Sequence, residues 1–306
     1  MPQRLPEWFK QKLPLASETI GVKRLLSQLQ LHTVCESAHC PNIGQCFSHG
    51  TATFMIMGDV CTRNCTFCAV GKGFPAALDP EEPGHIAEAV SRLGLSYVVI
   101  TCVTRDDLAD GGAGHFAATI KSLHTHVPGL KVEALVSDVK GDIASVRAIV
   151  AAEPDVFAHN LETVPRLYPE VRPMADYRRS LDVLRMAKEL SPGIITKSAL
   201  MLGLGEEQDE AIAVMRDLRQ AGCDLLTLGQ YLAPSSVHHP VIRFVTPDEF
   251  AVYEQLGLEE GFKGVASAPL VRSSFRAVEL YDEALKWKPI EGGADPRLYC
   301  AGRQPI

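Results

Sequence analysis

From Thr51 onward, short apolar runs alternate with longer stretches whose apolar residues recur every three or four positions. Runs of strand length, with β-branched side chains, fall at Thr53–Met57, Tyr97–Val103, Val132–Val136, Val156–His159, Ile194–Leu202 and Leu225–Leu232. Helical periodicity fills the gaps at Pro83–Leu93, Gly114–His126, Ile143–Ala152, Tyr177–Glu189 and Gln208–Gln220. Several of these stretches start behind a capping residue, as with Asp142 before Ile143 and Asp79 before the turn at Pro80. Strands and helices in strict alternation make βαβ units, and those units make a parallel sheet. Six strands are fewer than the eight that close a TIM barrel.

The flanks are less regular. Residues Thr19 to Leu31 read as an amphipathic helix with Ile20, Leu25, Leu26 and Leu29 available for one face, suited to docking over one end of a barrel. After Tyr231 comes the loop Ala233-Pro-Ser-Ser-Val-His-His-Pro240, then a helix from Pro247 to Glu260. Thr246 and Glu249 open that helix as a capping box. Val265 to Phe275 leads into a last amphipathic segment, and the Pro- and Gly-containing tail from Trp287 reads as loose.

Size and charge narrow the options. A chain of 306 residues with 46% hydrophobic content can bury a substantial core. No stretch approaches the roughly 20 apolar residues of a membrane helix, and no apolar run of signal-peptide length stands at Met1–Lys10. A net charge of -7 argues against nucleic acid as a partner. Nine cysteines without an export signal point to a reducing, cytoplasmic setting, where thiols bind metals rather than pair.

The chemistry lies in those cysteines. Cys61-Thr-Arg-Asn-Cys65-Thr-Phe-Cys68 places three thiols just past the first strand, where parallel α/β folds build their sites. No fourth cysteine follows nearby. Three thiolates on an iron–sulfur cube leave one iron open to a small molecule. A zinc site with His49 as fourth ligand stays open on this stretch alone. Upstream, Cys35-x4-Cys40-x5-Cys46 forms a second incomplete triplet in a loop turned by Pro41 and Gly44. One zinc would have more thiols than it could use, so two clusters are the economical reading.

The Cys-x3-Cys-x2-Cys spacing resembles the signature of radical S-adenosylmethionine (SAM) enzymes, in which SAM chelates the open iron. Together with the upstream triplet, it resembles the lipoyl synthase family. So do Val103-Thr-Arg-Asp-Asp-Leu108, His159-Asn-Leu-Glu-Thr163, Met201-Leu-Gly-Leu-Gly-Glu206, Leu226-Thr-Leu-Gly-Gln-Tyr231 and Val271-Arg-Ser-Ser274. The similarity runs from about Cys35 to Ala277. It implies an α/β partial (β/α)6 TIM-type barrel over residues 51–262. An N-terminal extension (1–50) would carry the auxiliary-cluster ligands, and a C-terminal extension (263–306) the Arg-Ser-Ser motif.

The implied reaction inserts two sulfur atoms at C6 and C8 of an octanoyl chain held as an amide on a lysine. Two 4Fe-4S clusters and SAM are the implied cofactors. Cys61, Cys65 and Cys68 would hold the cluster that cleaves SAM. Cys35, Cys40, Cys46 and Ser274 would hold an auxiliary cluster sacrificed as the sulfur source. The hard oxygen of Ser274 matches iron poorly, which suits a cluster that must open. Ser273 and Ser274 have an ordinary alternative as caps of the following helix. Asn160, Glu162, Met201, Gly203 and Gly205 are the candidate SAM contacts.

Implied partners are octanoylated carrier domains (2-oxoacid dehydrogenase E2 subunits and the glycine cleavage H protein), a flavodoxin- or ferredoxin-type electron donor and an iron–sulfur carrier protein. Neither nucleic acid nor membrane is among them. The sequence departs from the family pattern at Phe275, where Tyr is usual, at Ala199, where Gly is usual, and at Ser236, commonly basic. Arg105, Asp106 and Asp107 read equally as a solvated turn, His115 and His159 as structural histidines, and Cys102 as core. Cys223 and Cys300 have no partner at ligand spacing. A biotin synthase-like sulfur inserter and, from another class, a non-catalytic cluster-binding protein are the alternative readings.

Overall fold

The computed structural model describes residues 4–10, 16–38, 40–48 and 52–287. His49, Cys300 and the tail beyond Trp287 lie outside the described residues. In chain order the strands are β1 (His32–Thr33), β2 (Thr53–Ile56), β3 (Val60–Cys61), β4 (Gly71–Lys72), β5 (Tyr97–Cys102), β6 (Lys131–Leu135), β7 (Val156–Ala158), β8 (Ile195–Leu202), β9 (Leu225–Gln230) and β10 (Gly264–Ser267). The helices are α1 (Ala16–Gln28), α2 (Val34–Ser37), α3 (Ile43–Ser48), α4 (Glu82–Leu93), α5 (Ala113–His126), α6 (Ile143–Val150), α7 (Tyr168–Val171), α8 (Tyr177–Leu190), α9 (Gln208–Gln220), α10 (Pro247–Glu259) and α11 (Ala277–Lys286).

All six expected apolar runs are strands of one sheet, ordered β1-β2-β5-β6-β7-β8-β9-β10. Every neighbouring pair is parallel except β1 with β2, and β1 and β10 form its two edges. This is a partial barrel with one more parallel strand than the expected six. The added strand, β10, pairs with β9 in the register Gly264↔Leu225 to Ser267↔Leu228. The expected boundary at residue 262 would therefore cut the sheet.

Local signals explain most boundaries. Asp142 accepts from Ser145 N at the start of α6, and Asp176 does the same for Arg179 N at α8. Thr246 and Glu249 complete their reciprocal box at α10. Gly94, in left-handed backbone (φ 65), ends α4. Asp79 caps only the turn, accepting from Glu81 N at 2.9 Å. In α1 the inward face is Val22, Leu25 and Leu26, whereas Ile20 is half exposed. That helix packs on α3 and α4.

The amino ends of the strands are closed from below. Tyr97, Val156, Ile195 and Leu225 pack against Leu280, Tyr281 and Ala284 of α11. Just above, fully buried Lys197 donates to both Glu133 oxygens at 2.9 Å, and Tyr97 Oη donates to Glu133 Oε2 at 2.7 Å. With both charges paired and bonded the network is tolerated, but half of it is not. Lys197→Met should cost about 3–5 kcal/mol by leaving Glu133 buried and unpaired. The double variant Lys197→Met/Glu133→Gln should recover part of that loss, as read by urea unfolding.

Candidate functional site

The carboxyl ends of β5 to β9, together with Thr53 and Met55 of β2, surround a cavity of about 500 Å³. Both cysteine triplets line it. Cys61 ends β3, and Cys65 and Cys68 follow in the next loop. Cys35 comes from α2, Cys46 from α3, and Cys40 from the turn between them. The third wall is the segment Val271–Phe275, which crosses β9 so closely that a Cβ on Gly229 would sit 1.9 Å from Val271 O.

The Cys61–Cys68 loop is pinned on all sides. Thr62 N donates to Thr104 O (3.1 Å), Thr66 N to Val171 O (3.0 Å), His239 N to Thr66 O (3.0 Å) and Gly73 N to Cys61 O (3.0 Å). Arg63, inside the triplet, is 5% exposed and reaches two carboxylates. Its Nε donates to Asp106 Oδ2 at 2.7 Å, and Nη1 and Nη2 donate to the two Asp138 oxygens at 2.8 and 2.6 Å. Burial pushes the Asp138 carboxyl up, but bonds and charge from Arg63 outweigh that and hold it at about 2. Asp106 is thus an anchor of the loop. Arg105, only 2% exposed, pairs with Asp107 at 2.7 Å, so of the three residues only Asp107 is solvated, on an exposed turn.

The expected SAM contacts divide. Asn160, Glu162 and Met201 line the cavity. Glu162 holds left-handed backbone (φ 68) at a half-buried position, a strain of about 1–3 kcal/mol that tends to sit at functional sites. Bonds from Glu162 N to Ala199 O (3.0 Å) and from Met201 N to Glu162 O (2.8 Å) hold it there. Burial pushes its carboxyl up, against the charge of Arg172 and a bond from Asn160 Nδ2 at 3.0 Å. Gly203 and Gly205 stand outside the cavity walls. A Cβ on Gly203 would meet Gln230 Nε2 at 2.1 Å, and Gly205 O accepts from Arg166 at 2.8 Å. These glycines shape the turn behind Met201 instead of opening onto the cavity.

Neither serine caps α11, whose N-cap is Arg276 with no side-chain bond. Ser273 Oγ donates to Asn160 Oδ1 at 3.1 Å, tying the C-terminal segment to the β7 end. Ser274 Oγ accepts from Thr53 Oγ1 at 2.8 Å, and Thr53 is also a hydrogen-bond partner of the Cys35 thiol. Ser274 therefore stands beside the first triplet.

Arg172, passed over in the sequence reading, and several residues read there as structural complete the site. Arg172 Nη1 donates to Asn160 O (3.0 Å), Leu161 O (2.9 Å) and Tyr168 Oη (3.1 Å), and its charge bears on Cys65 and Glu162. Arg272 lines the cavity, its Nη1 donating to Val271 O at 2.8 Å. His159 Nδ1 donates to Val136 O at 2.9 Å, leaving Nε2 buried without a partner among the described residues. Burial and Arg172 push the His159 ring down to about 4, so it is neutral near pH 7. His115 is structural, paired with Glu82 at 2.6 Å. Cys102 lines the cavity beside Ser137, while Cys223 lies in the core.

The donor set suits an iron–sulfur group. All six triplet sulfurs are free of disulfides. Burial pushes Cys35 up to about 11, Cys46 to about 12 and Cys68 to about 11, each with added repulsion from neighbouring cysteines. Bare, these thiols keep their protons, and a metal centre is what draws the protons off. Among the described residues no three Cys, His or acidic side chains converge as around one metal ion.

Comparison with known proteins follows the same line. The radical SAM superfamily model matches residues 55–227, and the model for the N-terminal domain of lipoyl synthase of the radical SAM family matches residues 2–40. A lipoyl synthase of Rubrobacter xylanophilus is 55% identical over 279 residues, covering 91% of this chain and 87% of that one. One from Syntrophotalea carbinolica is 58% identical over 273 residues, covering 89% and 88%. Among solved structures, methylornithine synthase aligns with a TM-score of 0.53 at 17% identity, covering 83% of this chain and 80% of that one. HydG, a maturase of the FeFe hydrogenase, aligns at 0.56 and 12% identity, covering 88% and 66%. These two structures share the fold alone.

The Asp138 carboxylate gives a pH prediction. Its folded pKa of about 2 lies below the ordinary carboxylate value of 3.8, so its contribution is full above pH 3.8 and is lost as pH falls towards 2. Asp138→Asn should cost about 2 kcal/mol at pH 7, and the gap to wild type should close between about pH 4 and 2 in unfolding experiments.

Proposed function

The chain belongs to the lipoyl synthase family of the radical SAM superfamily, and on that premise we propose how its residues divide the work of inserting two sulfur atoms into a protein-bound octanoyl chain. It is a sulfur-transferring radical SAM enzyme that uses a 4Fe-4S cluster and SAM and acts on an octanoylated protein. The observation that carries the assignment of residues is the meeting of two cysteine triplets and Arg272–Ser274 around one cavity.

In this reading Cys61, Cys65 and Cys68 hold the SAM-binding cluster, and Cys35, Cys40, Cys46 and Ser274 hold the auxiliary one. When bound, these groups supply reductive cleavage of SAM at an open iron and the two sulfur atoms; that chemistry belongs to the cofactors. The chain supplies placement. Asn160, Glu162 and Met201 face the space next to Cys65 and bind SAM, with the strained Glu162 held ready before SAM arrives. Gly203 and Gly205 act at one remove, by setting the turn that carries Met201. Arg172 fixes the backbone at Asn160 and Leu161 and sets a positive charge towards Cys65 and Glu162. The apolar walls, including Val103, Leu135, Val136 and Leu200, disfavour water beside a reactive carbon centre.

Ser274 is the weakest donor of the seven and sits one hydroxyl away from Cys35, through Thr53. That position suits a corner that must open. The physiological carriers in this reading are E2 subunits of 2-oxoacid dehydrogenases and the glycine cleavage H protein. Reduction comes from a flavodoxin- or ferredoxin-type donor, and an iron–sulfur carrier protein restores the auxiliary cluster. Among the described residues no helix is long and apolar enough to cross a membrane.

The test is an oxygen-free reaction with SAM, a reductant and an octanoyl-lysine peptide, followed by mass spectrometry. Wild type should add two sulfurs and remove two hydrogens from the peptide. Ser274→Ala should still release 5′-deoxyadenosine but lower lipoyl product at least about tenfold, the factor that 1.4 kcal/mol of lost interaction represents. Undiminished lipoyl product from Ser274→Ala would remove that serine from the auxiliary site.

A further inference from the structure

The outer side of the Cys61–Cys68 loop carries a second, open cleft. Thr62, Asn64, Lys72, Phe74, Pro75 and Met174 line it. Phe74 is 102% exposed and Met174 48%, so neither side chain is used by the core. Arg63 and Lys72 border both this cleft and the inner cavity. The covalent path is as short as the spatial one. Phe74 adjoins Gly73, whose N–H donates to Cys61 O at 3.0 Å.

The charge around the cleft is one-sided once internal pairs are removed. Arg63 is spent on Asp106 and Asp138. Asp107, the carboxylate in the lining, is bonded by Arg105 at 2.7 Å and faces the further charge of Lys140. Lys72 has no ion pair or side-chain hydrogen bond among the described residues, which leaves its one positive charge free at the edge of an apolar centre. A small apolar patch with a charged rim is the anatomy of brief encounters between proteins, redox pairs among them.

Resting on the reading that Cys61, Cys65 and Cys68 hold the SAM-cleaving cluster, we propose that this cleft is the docking surface of a small acidic one-electron carrier protein. Its prosthetic group would seat over Phe74 and Met174. One electron leaves the carrier, which is oxidised, and arrives at the group held by Cys61, which is reduced. No bond is made or broken. The path runs through Phe74, Gly73 and the hydrogen bond to Cys61 O. Lys72 attracts the acidic partner, so docking weakens as salt screens it.

The experiment uses the full chain reconstituted without oxygen and follows 5′-deoxyadenosine. The electron source is dithionite in one arm, reduced flavodoxin in a second and reduced 2Fe-2S ferredoxin in a third. Phe74→Asp and Met174→Asp should keep the dithionite-driven rate. Each should lower the carrier-driven rate about tenfold and raise the carrier concentration at half-saturation, as expected when an apolar anchor is lost to a like charge. The arm in which saturation shifts identifies which carrier class uses the surface. Carrier-driven rates equal to wild type in both arms overturn the proposal. So does a dithionite-driven rate that falls in the same proportion, since the side chains would then serve only the loop. A wild type that releases no 5′-deoxyadenosine with dithionite defeats the cluster assignment itself, and the docking surface goes with it.

Discussion

Buried sulfur sets the terms for this molecule. A redox group that makes carbon radicals has to be kept from water, yet the burial that protects it also pushes thiols towards their protonated form. The chain meets both demands by bringing its sulfur donors to one cavity on rigid supports. Cys61, Cys65 and Cys68 come from a loop tied to the ends of neighbouring strands. Cys35 and Cys46 come from two short helices, and Cys40 from the turn that joins them, folded over the same opening. Arg172 brings positive charge to Cys65, but burial still outweighs it there, and a metal centre would supply the rest.

Charged side chains act here mainly as struts. Arg63 joins the Cys61 loop to the β5 and β6 ends through Asp106 and Asp138, and Arg179 approaches Asp138 at 3.4 Å from α8. Arg172 gathers the backbone after β7 against Tyr168, 5.3 Å below its ring centroid. At the other end of the barrel, α11 closes the floor around the Lys197–Glu133–Tyr97 network. The same C-terminal stretch thus closes the floor with α11 and brings Ser273 and Ser274 to the cavity just before it. A disturbance of the floor and a displacement of Ser274 are therefore linked by a few residues of chain.

Much of this was legible in the order of residues. Alternating apolar runs gave six strands at nearly their true bounds, and the thiol spacings singled out the residues that meet in space. Both signals are local, and local signals survive without coordinates. β10 escaped notice because Gly264 and Ala266 make a short, weak apolar run directly ahead of Pro269. Ile20 was assigned inward because it fits the helical period, but Val22 takes that place. The pairing of Arg63 with Asp138 spans 75 positions, which no local pattern announces. Gly203 and Gly205 looked like cofactor contacts since glycine permits close approach. What approaches Gly203 is Gln230 and Arg243 O, part of the chain itself.

The number of cubes per chain is the quantity on which everything else turns. Mössbauer spectroscopy with iron and sulfide counting, on protein reconstituted without oxygen, should give about eight irons as two 4Fe-4S clusters. Replacing Cys35, Cys40 and Cys46 together, or Cys61, Cys65 and Cys68 together, should each leave a single cluster. One cluster in the wild type, or a pair that survives the loss of either triplet, would contradict the assignment of these thiols.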